Sequence, residues 1–379
     1  MTERCWLECP ACRVRRPLGP HFFGCSTCVD ASGFAHWLEV RYDLDRVARA
    51  NLVALAVAGR VWDYAALLPF DGAATSLGEG NTPLLRIDGL NDALGLPNLW
   101  LKWEGINPTG SFKDRLHAVS MALGREMGFE RAVIVTTGNS GVAAAAFAAR
   151  NGMRLHAFVH PDTPPESRWK MERLGARVST ADAQTAARVQ EEVAQGAYPC
   201  TLLGTFAGPG NPYGVEGYKT IAFEVAAQLG RAPDRFCAPV SGGDALYGPY
   251  KGFVELRALG LTNALPRMTA CQSDGADFIA RTLREGREAM AVVEPETIAL
   301  SIGDPTGGEY IRTAIVGSGG VAWTASDAEI LAAVDLLARH GVLVEAASAS
   351  PVAALARQAR GGALEPDETV VALLTATAK

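Results

Sequence analysis

The chain has 379 residues, 48% hydrophobic and 20% charged, which is the composition of a folded globular protein and excludes disorder, collagen and coiled coil. Thirty-five lysines and arginines against 41 acidic residues leave a net charge of −6 with no long basic run, which argues against nucleic acid as a partner. Apolar stretches such as 142–149 fall far short of the ~20 residues that cross a bilayer, and the N-terminus has no export-signal layout. A soluble cytoplasmic protein with no membrane partner is the expectation.

In chain order, residues 1–40 form a distinct segment. Five of the eight cysteines lie in the first 28 residues. Cys9-Pro10-Ala11-Cys12 and Cys25-Ser26-Thr27-Cys28 each point two thiolates at one tetrahedral corner, and together they predict a structural zinc site of four thiolates. So short a segment cannot bury a core of its own, so the metal would supply its folding free energy. Free thiols are the alternative, and Cys5 is a spare or a substitute ligand. Residues 41–70 are expected to be helical, from the spacing of Leu44, Val47, Asn51, Leu55 and Ala58.

From about residue 98 strands and helices alternate. Strands are expected at 99–103, 132–136 and 155–159, and Leu116, Val119, Leu123 and Met127 mark a helix face between the first two. Further helices are read at 141–150, 166–174 and 183–194. After a Gly/Pro-rich break at 204–212 come strand 235–240, helix 246–259 and strand 267–272. Ser326 or Asp327 can N-cap a helix at 328–339, Pro351 suits a first helical turn, and 370–374 is a last strand. Such repeated units predict an α/β fold of parallel sheets covered by helices on both faces.

Three strand–loop–helix junctions carry chemistry. In Asn107-Pro108-Thr109-Gly110-Ser111-Phe112-Lys113-Asp114-Arg115 a lysine stands just before a helix, where positive partial charge disfavours its protonation. Such an amine can attack an aldehyde and form a Schiff base; the plainer reading is a surface lysine paired with Asp114. In Thr136-Thr137-Gly138-Asn139-Ser140-Gly141 small residues and a helix start favour an anion, and the Asn139 amide can bond a phenolic oxygen. Ser241-Gly242-Gly243-Asp244-Ala245 has the form of a cradle for one phosphate or of a plain glycine turn, with Asp244 expected to turn away as a helix cap. An amine for an aldehyde, an amide for a ring oxygen and a cradle for one phosphate together describe pyridoxal 5′-phosphate.

These segments resemble the fold-type II pyridoxal-phosphate enzymes, in particular threonine synthase and its paralogues. Gly78-Glu79-Gly80-Asn81-Thr82-Pro83-Leu84 and Val215-Glu216-Gly217-Tyr218-Lys219-Thr220 are similar to further motifs of that group, and the likeness runs over essentially the whole chain. The resemblance implies two parallel-sheet, three-layer domains behind a zinc-ribbon-like segment: a large cofactor domain from 41–114 plus 205–379, and a smaller inserted one at 115–204. It implies that catalytic Lys113 holds the cofactor, with Asn139, Ser241, Gly242, Gly243, Asp244, Ala245 and Thr375 as further cofactor contacts. Thr137, Gly138 and Ser140 would bind a small amino-acid substrate, Cys9, Cys12, Cys25 and Cys28 would bind zinc, and the chain would form a homodimer.

Three departures bear on the substrate. Gly208-Pro209-Gly210-Asn211-Pro212-Tyr213-Gly214 stands where the group commonly carries Asn-Ser-x-Asn-Pro-x-Arg to grip a substrate phosphate. Each strong hydrogen bond so lost is worth ~1.5–3 kcal/mol. Leu116 replaces a Gly or Pro, and Thr375-Ala376-Thr377-Ala378 replaces Thr-Gly-His-Gly. The expectation is therefore a lyase or synthase that eliminates or replaces a β- or γ-substituent of a small amino acid other than phosphohomoserine. The alternatives are a genuine threonine synthase, with Arg115, Lys219 or Arg312 on the phosphate, and a catalytically silent scaffold that binds a partner through its ribbon.

Overall fold

The structure, a computed structural model, describes residues 4–31, 33–47, 57–72, 74–200, 210–365 and 367–378. The first half of the chain contains strands β1 (Cys5–Glu8), β2 (Arg15–Arg16), β3 (Glu39–Tyr42), β4 (Leu84–Leu85) and β5 (Leu99–Trp103), with helix α1 (Asp88–Leu94) before β5. Then follow α2 (Lys113–Glu126), β6 (Arg131–Thr136), α3 (Asn139–Arg150), β7 (Arg154–Val159), α4 (Pro165–Arg173), β8 (Arg177–Thr180), α5 (Thr185–Ala194) and β9 (Tyr198–Pro199). The last part runs α6 (Gly214–Leu229), β10 (Arg235–Pro239), α7 (Asp244–Ala258), β11 (Arg267–Ser273), α8 (Phe278–Arg284) and α9 (Glu309–Gly317). It closes with β12 (Val321–Ala325), α10 (Asp327–Arg339), α11 (Ala346–Arg360) and β13 (Val370–Leu374).

The chain divides into two compact units. One comprises 1–54, 59–80 and 107–218; the other comprises 55–58, 81–106 and 219–379. These bounds differ from those drawn on the sequence at 115 and 204. The physical reason is close packing: a Cβ on Gly217 would lie 1.9 Å from the carbonyl oxygen of Arg115. Only glycine lets the backbone at 217 approach the start of α2, and this keeps 107–218 in one body.

In the first unit β1, β2 and β3 form a small antiparallel sheet in the order β2-β1-β3. The Arg15 guanidinium lies 4.4 Å from the centre of the Trp6 ring and bonds Glu8. The helix expected over 41–70 is not continuous. Leu44–Val47 is helical, residues 48–56 lie outside the described residues, and Val61–Leu67 is a 3-10 helix. There Asp63 accepts from the Arg60 N–H at 2.7 Å, closing a tight three-residue turn. The larger sheet of this unit is parallel, in the order β8-β7-β6-β9. Helix α3 reads Asn-Ser-Gly-Val-Ala-Ala-Ala-Ala-Phe-Ala-Ala-Arg, and its span from Gly141 to Ala148 is wholly buried, as small side chains permit.

The second unit is built on a six-stranded sheet in the order β12-β11-β10-β13-β5-β4, parallel except at β4. Strands β10 and β13 are buried at every residue, as strands covered on both faces must be. Lys102 inside β5 is fully buried, and its ammonium donates to Glu224 at 2.7 Å, the Thr82 carbonyl at 2.7 Å and Gln228 at 3.0 Å. Ser326, not Asp327, caps α10: its hydroxyl accepts from the Glu329 N–H while Glu329 reaches back to the Ser326 N–H. Pro351 lies inside α11 rather than in its first turn, which begins at Ala346. The Ala347 carbonyl, which proline leaves without its helical donor, accepts instead from the Ser350 hydroxyl at 2.9 Å.

Candidate active site

The expected residues fall into two groups, Lys113, Thr137, Gly138, Asn139 and Ser140 in the first unit, and Ser241–245 with Thr375 in the second. Lys113 is the first residue of α2, two positions earlier than the sequence pattern placed the helix start. The loop ahead of it is braced by Asp114, whose carboxylate accepts from the Thr109 N–H at 2.7 Å and its hydroxyl at 2.6 Å. Asn107 accepts from the Gly80 N–H at 3.0 Å, which ties the Gly78–Gly80 turn to the same loop. The Lys113 amine lies 4.7 Å from the Phe112 ring centre and 5.8 Å from that of Tyr218. Those two rings stack at 4.5 Å, 12° from parallel. A half-buried amine on aromatic faces is attracted to their negative π clouds and is held at a fixed place.

After β6 the chain turns through exposed Thr137 and buried Gly138 into α3. The Thr136 hydroxyl accepts from the N–H groups of Gly138 at 3.1 Å and Gly141 at 2.9 Å, fixing the loop. The N-cap of α3 is Gly138, which has no side chain to offer, and Thr136 takes only the Gly141 N–H of the first turn, so the dipole of a twelve-residue helix is presented at Asn139 and Ser140, where it favours an anion. Sequence reasoning missed a further member of this group, His117. It is one turn beyond Lys113 on α2, fully buried, with Nε2 2.9 Å from the Ser140 hydroxyl. Burial, reinforced by the charge of Lys113, lowers its pKa from 6.5 to about 3, so the ring is neutral at ordinary pH. The only signal in the sequence was its i+4 spacing from the lysine.

In the second unit the Ser241 loop leaves the C-terminal end of β10, and Thr375 follows the adjacent parallel strand β13. The two therefore share the sheet edge at which ligands of α/β proteins collect. Gly243, at φ +110, occupies the N-cap of α7 and no side chain caps this helix either. Asp244 is not the cap expected of it: it is the first residue of α7, buried beside Tyr310. Burial first, and then the carboxylates of Asp244 and Asp304, push the Tyr310 phenol up, and it donates to the Gly242 carbonyl at 2.7 Å. The Ser241 hydroxyl donates to Asp304, so what this loop offers an anion is backbone N–H groups. Thr375 is buried at 7% exposure. The first unit offers an amine on an aromatic seat and the second a helix start with backbone N–H groups, and these are the donor types that pyridoxal phosphate needs: one amine and donors for anionic oxygens.

The thiols of Cys9, Cys12, Cys25 and Cys28 all lie within 4.8 Å of one another, the spacing of ligands around one ion. The Thr27 hydroxyl bonds the sulfurs of Cys12 and Cys25, and its N–H donates to Cys25, so the thiolate charge has hydrogen-bond support. Cys5 lies outside this cluster, and its backbone pairs with Tyr42 in the β1–β3 ladder.

Residues 75–376 match the family described as "Pyridoxal-phosphate dependent enzyme". The chain is 35% identical over 383 residues to the threonine synthase of Methanosarcina acetivorans, covering 97% of this chain and 90% of that protein. It is also 35% identical over 357 residues to the threonine synthase of Methanocaldococcus jannaschii, covering 89% and 85%. Among solved structures, threonine deaminase isoform 2 from Solanum lycopersicum superposes with a TM-score of 0.68 at 19% identity, covering 97% of this chain and 90% of that one. Among the described residues no helix is long and apolar enough to cross a membrane.

Proposed function

Because this chain belongs to the pyridoxal-phosphate-dependent enzyme family, we propose that it converts O-phosphohomoserine and water to threonine and phosphate. The observation that carries this reading is the set of relatives named threonine synthase, matched at 35% identity over nearly the whole chain. Lys113 would hold the cofactor through its amine, Asn139 would bond the ring oxygen, and the backbone of Ser241, Gly242, Gly243, Asp244 and Ala245 would take the phosphate. Thr375 would meet the pyridine nitrogen as a neutral partner. When bound, pyridoxal phosphate supplies an electron sink for negative charge developing beside the amino group.

The work of the chain is then binding and proton movement. The loop of Thr137, Gly138 and Ser140 would hold the substrate carboxylate at the start of α3. The Lys113 amine would take the Cα proton and return protons along the side chain as phosphate leaves Cγ and a water oxygen ends on Cβ. The balance needs no oxidant or reductant. Cys9, Cys12, Cys25 and Cys28 would hold a zinc ion whose four thiolates leave no open position, so its part is structural. A cytoplasmic homodimer belongs to the same reading.

The sequence analysis favoured a different substrate, and the relatives support genuine threonine synthase better. One observation favours that different substrate. A Cβ on Gly214 would lie 2.6 Å from Cγ of buried Leu116, so the leucine fills the space that a side chain at 214 would enter. These are two of the positions that depart from the group's pattern. Buried Asn211 is also committed, bonding Ser120, the Pro199 carbonyl and the Tyr213 N–H.

The test is direct. Purified protein is offered O-phosphohomoserine, O-phosphoserine, serine, threonine and diaminopropionate, and phosphate, threonine and keto-acid release are measured. Threonine formed only from O-phosphohomoserine establishes threonine synthase; turnover confined to the others establishes the different substrate. Loss of the visible cofactor band in Lys113→Ala checks the lysine.

A further inference from the structure

The loop that would hold the substrate ends in Ser140, whose hydroxyl meets the buried His117 ring at 2.9 Å. A neutral imidazole carries one proton, and its position decides what that serine can do. If Nε2 is bare, it accepts the serine proton and turns the oxygen lone pairs toward the loop. If Nε2 is protonated, it donates to the oxygen and leaves the serine hydrogen free to point at a ligand.

The other ring nitrogen chooses between these. Nδ1 of His117 is buried and has no hydrogen-bond partner among the described residues. A buried orphan N–H is rarer in folded proteins than an under-used acceptor. Leaving Nδ1 bare puts the hydrogen on Nε2.

We propose that His117 is a positioning residue: it donates its Nε2 hydrogen to the Ser140 oxygen and thereby aims the Ser140 hydrogen at a carboxylate held at the start of α3. The proposal rests on the substrate-loop role given above to Thr137, Gly138 and Ser140. Buried and neutral, the ring keeps this orientation across the working pH range. The serine then adds a directed donor to the backbone N–H groups and the helix dipole, and such a bond is strongest to an anionic group.

Two measurements test it. Long-range 15N–1H spectra of the whole protein, with the His117 signals identified by their loss in His117→Gln, should show an Nε2-protonated ring that does not titrate between pH 5 and 9. An Nδ1-protonated or titrating ring overturns the proposal, and this readout needs neither cofactor nor substrate. L-Threonine is then titrated against the visible cofactor band. Both His117→Met and Ser140→Ala should weaken its Kd about tenfold, as the loss of one aimed hydrogen bond to a charged group would. The double variant should lose nothing more, and His117→Gln, which keeps an N–H near the Nε2 position, should stay within about threefold. Losses that multiply in the double variant, or equal losses in His117→Met and His117→Gln, overturn it. Absence of the cofactor band from the unaltered protein would instead refute the cofactor reading and leave the spectra to decide the hydrogen bond.

Discussion

Acidification should weaken this protein through one imidazole. In the unfolded chain His117 takes up a proton near pH 6.5, whereas in the folded protein burial and the charge of Lys113 keep it neutral to about pH 3. Below pH 6.5 the unfolded chain therefore binds a proton that the folded chain refuses, and stability falls by about 1.4 kcal/mol for each further pH unit until about pH 3. Between pH 7.5 and pH 5 the loss from this one group is about 2 kcal/mol. His117→Gln cannot titrate and should not show it. With a urea dependence of about 4 kcal/mol per molar for a chain of this length, the midpoint of the unaltered protein should fall by roughly 0.5 M more than that of the variant. Urea unfolding of both proteins at both pH values, followed by tryptophan fluorescence, isolates the effect, because the carboxylates common to the two cancel in the comparison. An equal fall in both proteins would refute the claim that the ring is held neutral.

Three further outcomes are expected. Glu224→Gln removes the carboxylate from the buried Lys102 ammonium and should cost about 3–5 kcal/mol in urea unfolding, while Lys102→Met with Glu224→Gln, which keeps an acceptor for the Asn81 and Thr82 N–H groups, should recover part of that loss. A methyl group at 217 meets the Arg115 carbonyl at 1.9 Å, so Gly217→Ala should lose about 3 kcal/mol or leave no soluble protein; ordinary expression and an unchanged melting temperature would contradict that packing. Purified protein should carry one zinc per chain by elemental analysis, and Cys9→Ser should lose it together with part of the thermal stability.

The parts of the fold that the sequence disclosed are those where one local pattern suffices. The C-x-x-C pairs, the fully apolar run of β13 and the small-residue loop before α3 each carry their own physical reason. The elements that escaped notice lack such a pattern. Strand β8 is Arg-Val-Ser-Thr, with no apolar alternation, and β9 is two residues long; both are strands because β7 and β6 offer them a parallel edge. Pro351 read as a helix start because its missing N–H is harmless there, and only the Ser350 side chain explains its place inside α11. His117 looked like any residue of a buried helix; its significance depends on Ser140, twenty-three residues away. The lysine junction was legible as chemistry, but the stacked rings of Phe112 and Tyr218 that seat its amine were not, since they come from distant parts of the chain.

The N-terminal ribbon was expected to stand apart, yet it is stitched into the unit that carries Lys113. Phe22 packs edge-on against both Tyr198 and Phe129, with ring centres 5.3 and 5.9 Å away, and the Tyr213 hydroxyl both receives from and gives to the backbone of Gly19. Cutting off the first forty residues would thus not free an accessory module. It would strip a lid from an aromatic nest beside β9 and strand a phenol in an apolar hollow, and the truncated chain should clump rather than work. The metal, by stiffening the ribbon, would act at a distance as a fastener for the enzyme proper.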